Sequence, residues 1–510
     1  MALNSSGPIS LGGTTAGVSI EKELGGSGTA MISLNDANVR SLAGVSSGAI
    51  TMPTNFWGKS TGYYLMGAAV WQSSSETFYG MAVGTNTIYL SSAQFKSGTT
   101  PTGGYVAVTP VNSNATFGSN FGSQPSTGIG VNDVGYNSNI LVHPTNGNII
   151  YSMTCSSSYI GSGYTVVLMS SSTPSGTINS RVQYYFRYSG FNYASTNANV
   201  IIADNSGYVY LIGYLGATNG GCYCPQVNYL FIARYDSSLS LNTSQLWSNG
   251  SNNLYGFCGA YGSDNKLYLG GEFNNGSGQP ISGQFTASLS INYLVTFNLN
   301  GYFVNGINAD SNGNMISAIN NNTYIVIISS NSTGSSINWA QRTQQNSGSA
   351  RQIGVGIDSS NNVYISNYNN TQGAIYVTKF NSSGTVQWQR IIRQTLSGSA
   401  LQSGSTQLKI VGSQIFISSA GSPGGSAGAY FFVLPTDGSK TGTYTITSGI
   451  TGISYLDPVP LGTAMGWVSG SYTISTFSSY SSSGSANYSS NSSYGGNSTP
   501  ALSYSGAITI

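Results

Sequence analysis

The chain holds one histidine, His143, so a Ser-His-Asp or Cys-His arrangement would have a single base available to it. That base stands in Leu141-Val-His-Pro144, where an apolar run meets a proline, and it reads as a turn residue at a strand end. Glycosidase chemistry needs two carboxylates converging on one pocket, one of them with a raised pKa. Of the 13 acids, Asp204, Asp264, Asp310 and Asp358 instead recur at equivalent hairpin turns, where an aspartate accepts hydrogen bonds from nearby backbone N–H groups. Asp204-Asn-Ser-Gly207 and Asp310-Ser-Asn-Gly-Asn314 place oxygen-bearing side chains as calcium loops do, but neither is followed by the closing acid of an EF-hand. Cys222-x-Cys224 lacks the two-residue spacer of zinc knuckles and thioredoxin-like sites, and with Cys155 and Cys258 it makes four thiols, too few for a disulfide scaffold. Gly421-Ser-Pro-Gly-Gly425 lacks the Lys-Ser/Thr of a phosphate loop. No catalytic centre, metal or cofactor is expected, and the chain reads as non-enzymatic.

Whatever the chain does must therefore come from the elements that carry these turns. Its 510 residues include 15 Lys+Arg and 13 Asp+Glu, a charged fraction of 5% against the usual ~25%. With 68 glycines and 36 tyrosines, the backbone is too free for long helices and rich enough in β-formers for an all-β fold. A net charge of +2 without a basic cluster excludes the electrostatic footprint of a nucleic-acid binder. Apolar runs such as Tyr324–Ile328 and Tyr430–Leu434 are strand-sized, far short of the ~20 residues of a membrane span, so no membrane insertion is expected. Met1 to Ser10 has neither a basic nor an apolar leader region, so a chain without a secretory signal is expected.

A short motif, a polar or Gly turn followed by β-formers, recurs seven times. Its last residues, Tyr89, Ile150, Tyr210, Tyr268, Ile316, Tyr364 and Phe416, follow one another at 61, 60, 58, 48, 48 and 52 residues. A strand-like run precedes several copies (Asn199–Ala203, Gly306–Ala309, Ile353–Ile357), making hairpins. A third run follows each: Tyr105–Val108, Tyr164–Leu168, Tyr229–Ala233, Leu294–Phe297, Tyr324–Ile328, Ile375–Thr378 and Tyr430–Leu434. A less regular fourth appears at Ser244–Trp247, Ser336–Ala340 and Gly384–Gln389. Seven four-stranded units, apolar on both faces within and ragged at the outer strand, predict a seven-bladed β-propeller over residues 68–446.

The unit from Asp358 to Gln389 resembles the SBBP-type β-propeller repeat of bacterial and phage surface proteins. Closing such a ring calls for a lock between its first and last sheets. Ala68-Ala-Val-Trp-Gln72 resembles the outer strand around Trp388 and is expected to complete the last blade as a clasp, with Thr443–Ile446 as its rival for that place.

Residues 1–67 and 447–510 lack the repeat. Ser33-Leu-Asn-Asp36 reads as a helix cap, with Val39 and Leu42 on one face and Gly44 as a stop; so short a helix needs its apolar face covered by the rest of the segment or by a partner chain. Ile32–Met52, followed by Asn55-Phe-Trp-Gly-Lys-Ser60, resembles the N-terminal module of structural proteins of tailed bacteriophages, particularly marine and cyanobacterial phages, with Thr51 and Trp57 where Ser and Tyr are commoner. The resemblance covers about thirty residues and implies a virion component that is assembled in the host cytoplasm and docks on other virion structural proteins. Leu34, Val39, Leu42, Ile50, Met52, Phe56 and Trp57 are the expected docking residues. From Pro458 to Ile510 there is no charged residue, and this Ser/Tyr/Asn/Gly-rich segment is expected to become ordered by assembly against a partner.

The implied function is that of a tail fibre or tail-associated adhesin, present in multiple copies or as a homo-oligomer, with the propeller displayed toward a host cell-surface glycan. The loops Gly213–Asn228 and Glu272–Asn292 supply aromatic and amide side chains suited to sugar rings. A capsid decoration or head fibre protein is the near alternative. A virion-associated polysaccharide-degrading, sialidase-like enzyme is the other; it would need an arginine cluster, and Arg181, Arg187, Arg234, Arg342, Arg351, Arg390 and Arg393 are scattered.

Overall fold

A computed structural model of the chain describes residues 3, 7–15, 18–24, 29, 31–43, 45, 48–56, 63–71, 79–94, 105–123, 139–157, 164–187, 193–218, 227–249, 252–321, 323–343, 353–369, 372–394, 400–422, 428–447, 451–457, 466–477, 481–484, 487–490 and 502–510. Trp57, Cys222, Cys224 and Arg351 lie outside them.

The glycine-rich, β-branched sequence folds as an all-β seven-bladed propeller. Leu65–Trp71 forms β1. Blade 1 is β2 (Tyr79–Val83), β3 (Thr87–Gln94), β4 (Tyr105–Asn112) and β5 (Phe121–Ser123). Blade 2 is β6 (Asn139–Val142), β7 (Ile149–Ser157), β8 (Tyr164–Ser172) and β9 (Ile178–Arg187). Blade 3 is β10 (Tyr193–Ala203), β11 (Val209–Thr218), β12 (Val227–Tyr235) and β13 (Leu241–Ser248). Blade 4 is β14 (Asn253–Tyr261), β15 (Leu267–Asn274), β16 (Gln279–Phe285) and β17 (Ile291–Phe297). Blade 5 is β18 (Phe303–Ala309), β19 (Met315–Asn320), β20 (Ile325–Ser330) and β21 (Ile337–Thr343). Blade 6 is β22 (Gly354–Ile357), β23 (Val363–Asn369), β24 (Ala374–Phe380) and β25 (Val386–Gln394). Blade 7 takes β26 (Ala400–Val411), β27 (Gln414–Ser422) and β28 (Gly428–Pro435), and its fourth strand is β1.

Burial follows position in the blade. The second and third strands β19, β20 and β23 are buried at nearly every residue, because neighbouring blades cover both faces. The outer strands β17 and β21 alternate between buried and wet positions. Seven apolar clusters fill the seven interfaces between blades, from Ile149 and Tyr151 against Val108 at blades 1 and 2 round to Phe416 and Phe431 against Ile88 and Leu90 at blades 7 and 1. Each interface thus carries its own core.

A clasp is formed, over Leu65–Ala69 rather than over the expected Ala68–Gln72. β1 runs antiparallel to β28, with Leu65 opposite Val433 and Ala69 opposite Ala429. Its alternate side chains enter the two neighbouring cores: Met66 and Ala68 face blade 6, Leu65 and Ala69 face blade 1. The rival segment goes elsewhere: β29 (Gly442–Thr447) is the outermost strand of blade 6, reached through β30 (Thr451–Leu456).

The uncharged C-terminal segment orders against the chain's own ring, which corrects the expected partner. β31 (Trp467–Ser469) pairs with β21 of blade 5, and β32 (Ile474–Thr476) with β17 of blade 4. β33 (Ser481–Gly484) pairs with β13 of blade 3, and β34 (Asn487–Ser490) with β9 of blade 2. Finally β35 (Leu502–Thr509) covers β1 on blade 7. Among the described residues the segment is a belt along the rim that gives a further edge strand to blades 5, 4, 3, 2 and 7 in turn.

Blade 4 corrects a second expectation. Glu272–Asn292 is no loop, since it contains all of β16, and Leu294–Phe297 belongs to the fourth strand rather than the third. Pro280, Ser282 and Gly283 hide β16 in the sequence, while its place between β15 and β17 imposes the extended form.

In the N-terminal segment, Asp36 rather than Ser33 caps the helix α2 (Ala37–Ala43), which follows a short α1 (Ile20–Glu23). Ser33 and Asp36 still pair reciprocally: the Asp36 carboxylate accepts the Ser33 N–H at 2.8 Å, and the Asp36 N–H donates to the Ser33 carbonyl at 3.0 Å. That pairing closes a turn ahead of the helix, whose first bond runs from Arg40 N–H to the Asp36 carbonyl. Among the described residues no helix is long and apolar enough to cross a membrane.

Candidate functional site

The hairpin joining the first two strands of a blade carries the ionisable residues that the repeat placed there. Asp358 Oδ1 accepts the N–H groups of Ser360 and Asn362, both at 2.9 Å, and Oδ2 accepts from Asn362 Nδ2 and the Tyr364 hydroxyl. Asp204 and Asp310 repeat the backbone pattern, and the Tyr210 hydroxyl donates to Asp204 at 2.8 Å. Asp264 holds the Tyr268 hydroxyl at 2.7 Å. These carboxylates are consumed by their own turns, as the sequence reading expects. Each tyrosine also reaches the next blade or beyond: Tyr210 to the Ala287 carbonyl, Tyr268 to that of Gly313, Tyr364 to that of Thr436. Burial, reinforced by the adjacent aspartate, pushes all three phenols well above their ordinary pKa. They stay protonated as donors.

His143 fills the corresponding turn of blade 2. It is buried, its Nε2 bonds to the Gly207 carbonyl of blade 3 at 2.9 Å, and Thr145 Oγ1 lies 3.1 Å from Nδ1. The histidine therefore ties two blades together. Cys258 is buried too, and burial pushes its thiol up. The arginines whose side chains are described do not converge. Arg234 and Arg390 reach carbonyls of the following blade, at Ala287 and Gly438, each at 2.8 Å, and Arg393 bonds to Gln372. Among the described residues no group of three or more His, Cys, Asp or Glu side chains is placed to hold a metal.

Replacing Asp358 with alanine leaves two turn N–H groups and the Tyr364 hydroxyl without their acceptor, and is expected to lower the unfolding free energy by about 1–3 kcal/mol. Urea melts of the variant and the wild type measure this; equal midpoints would show that the turn adds nothing.

Seven first strands enclose an axial cavity of about 400 Å³. Ile140, Ile201, Ala260, Ile307, Val355 and Leu408 contribute to its wall, one from each of six blades, with Met81 and Ala82 from blade 1. Among the described residues Lys409 is the one charged side chain lining it. The sequence reading missed Lys409, although a lysine in Gln407-Leu-Lys-Ile410, inside a strand of so weakly charged a chain, was the available signal.

Of the expected docking residues, Val39, Leu42 and Phe56 are buried in a core made by the N-terminal segment itself, with Leu3, Ile20 and Ala43. Leu34, Ile50 and Met52 pack partly buried against it, and Trp57 lies outside the described residues. The helix therefore finds its apolar cover within the segment. Of the two expected sugar-facing loops, one contains β16; half of the other, residues 219–226, lies outside the described residues, and the rest is the ends of β11 and β12.

No family model matches the sequence, and no curated protein does. Among solved structures, similarity is found to the periplasmic gluconolactonase PpgL of Pseudomonas aeruginosa, at 9% identity and TM-score 0.39, covering 67% of this chain and 97% of that one. The subtype N11 neuraminidase-like protein of A/flat-faced bat/Peru/033/2010 is similar at 12% identity and TM-score 0.37, with 72% and 88% covered. Trypanosoma rangeli sialidase is similar at 8% identity and TM-score 0.34, with 72% and 58% covered. The expectation of a non-enzymatic chain is corrected on this finding, because enzymes stand among these neighbours. Such distant likeness assigns no activity, substrate or catalytic residue to this chain.

Proposed function

We propose that the chain is a structural protein of a tailed-phage particle, held to other virion proteins by its N-terminal segment and presenting the propeller to a host-surface glycan. The tail is the proposed location, as a fibre or tail-associated adhesin; a head decoration protein would use the same segment. The observation that carries this reading is that the residues resembling the phage module belong to a segment with a core of its own, joined to the ring at the strand that closes it. Multiple copies on one particle follow from the same role.

The test is a deletion, and the structure dictates where it stops. The Tyr63 carbonyl accepts from Gln414 Nε2 and Leu65 begins the clasp, so removing residues 1–67 would damage the ring as well as the segment. Deleting residues 2–56 spares both. The expected result is a soluble ring with the wild-type melting temperature and at least tenfold lower incorporation into particles. A deletion variant that is incorporated normally overturns the proposal.

A further inference from the structure

We infer that the axial cavity binds a small hydroxylated carboxylate, its anionic group paired with the Lys409 ammonium and its hydroxyls bonded to polar groups of the inner strands.

The cavity volume, about 400 Å³, lies within the ~300–1,000 Å³ typical of small-molecule sites. Among the described residues no acidic side chain lines it, so none of them gives Lys409 a counter-charge on the wall. Lys409 is exposed as a residue, yet crowding of its ammonium by the surrounding protein lowers its pKa. A bound carboxylate would restore the favoured charged form, as an ion pair in a partly dehydrated site. The four turn aspartates, which belong to the same hairpins as the inner strands, do not line the cavity and are occupied by their own turns.

The wall can also take hydroxyl groups. Gln407 stands two residues from Lys409, on the same face of β26; its Oε1 accepts the Met81 N–H at 2.7 Å, and its Nε2 has no partner among the described residues. The first strands of every blade but the third pair on one side only, with their second strands. Their inner edges therefore offer backbone N–H and C=O groups to the cavity, of which the N–H groups of Met81, Ile353 and Gly354 and the Val355 carbonyl are already bonded to Gln407, Asn305, Thr406 and Asn308. Cys258 adds no charge, since its raised pKa keeps the thiol protonated. One cation amid neutral donors and acceptors selects a singly charged, polyhydroxylated ligand, wherever on a particle the protein resides.

Calorimetry on the full chain with glucuronate, glucose and inorganic phosphate tests this. Glucuronate is expected to bind, with glucose and phosphate each at least tenfold weaker. Lys409→Met should weaken glucuronate at least tenfold without changing the melting temperature, and Lys409→Arg should stay within about threefold of wild type. No glucuronate binding, glucose or phosphate binding equally well, or undiminished binding by Lys409→Met would each overturn the inference. The comparison of the three ligands on the wild type decides the matter even if a variant fails to fold.

Discussion

Substituting valine for Gly67 is expected to open the ring at its closure. Gly67 lies opposite Phe431 in the pairing of β1 with β28, and a Cβ at this position would stand 2.0 Å from Phe431 Cζ and 2.4 Å from Cε1. The phenyl ring has no space to yield. It is fully buried in the core between blades 7 and 1, and it meets Phe117 edge-on at 6.0 Å. Forcing extra carbons into a packed core costs about 1–3 kcal/mol where side chains can shift, and here the intruding carbons would overlap the ring outright. Strand β1 must then leave β28, which strips the last blade of its outer strand and exposes the facing cores on both sides. Thermal melts and limited proteolysis read the effect: a drop of at least 10 °C and rapid cleavage near residues 63–71 are expected. Met66→Leu, on the other face of the same strand and nearly equal in volume, should cost less than about 1.5 kcal/mol. A Gly67→Val protein that melts with the wild type would show that the ring does not depend on this strand.

Ending the chain after Asp457 is expected to leave a ring that sticks to itself. This removes β31 to β35, uncovering the outer edges of β21, β17, β13, β9 and β1. Unpaired edges recruit strands from other molecules, and this chain has few charges with which to repel them. Apolar packing is lost as well. Phe477 is buried beside Phe273 with ring centres 4.8 Å apart, Trp467 stands edge-on to Phe380 at 4.9 Å, and Ile508 and Ile510 pack on the core between blades 6 and 7. Burial of Phe477 alone contributes on the order of 1.5–3 kcal/mol. Light scattering coupled to gel filtration should find the truncated protein in oligomers at concentrations where the full chain is monodisperse, with a lower melting temperature. An equally monodisperse and equally stable truncation would make the belt dispensable.

What the sequence made legible was whatever repeats or is apolar by period. Val363–Asn369 and Tyr430–Leu434 announce themselves because strands covered on both faces need continuous β-formers. The aspartate turns were readable for the same reason, since a carboxylate two and four residues before the N–H groups it accepts is local chemistry. The belt's course around the ring was not legible. Its three- and four-residue strands, such as Ile474–Thr476 and Asn487–Ser490, are extended because an outer blade edge lies beside them. β16, with its proline and glycine, is extended for that reason also. Val39 and Leu42 were rightly read as needing cover, but periodicity cannot say whether the cover comes from the same segment or from another molecule. Lys409 escaped notice because a single lysine has no pattern; the closing of seven strands around it gives it meaning.

The position of β1 has a mechanical consequence. It lies between β28 and β35, antiparallel to both, and it is the first strand after the N-terminal segment. Tension arriving through that segment would load two hydrogen-bonded ladders side by side, in shear along the strand, so that many bonds must yield together. Tension on the opposite terminus meets the outermost strand β35, which is held on one side only and can come away alone. The same protein is thus tough when tugged from its front and easily unravelled from its rear.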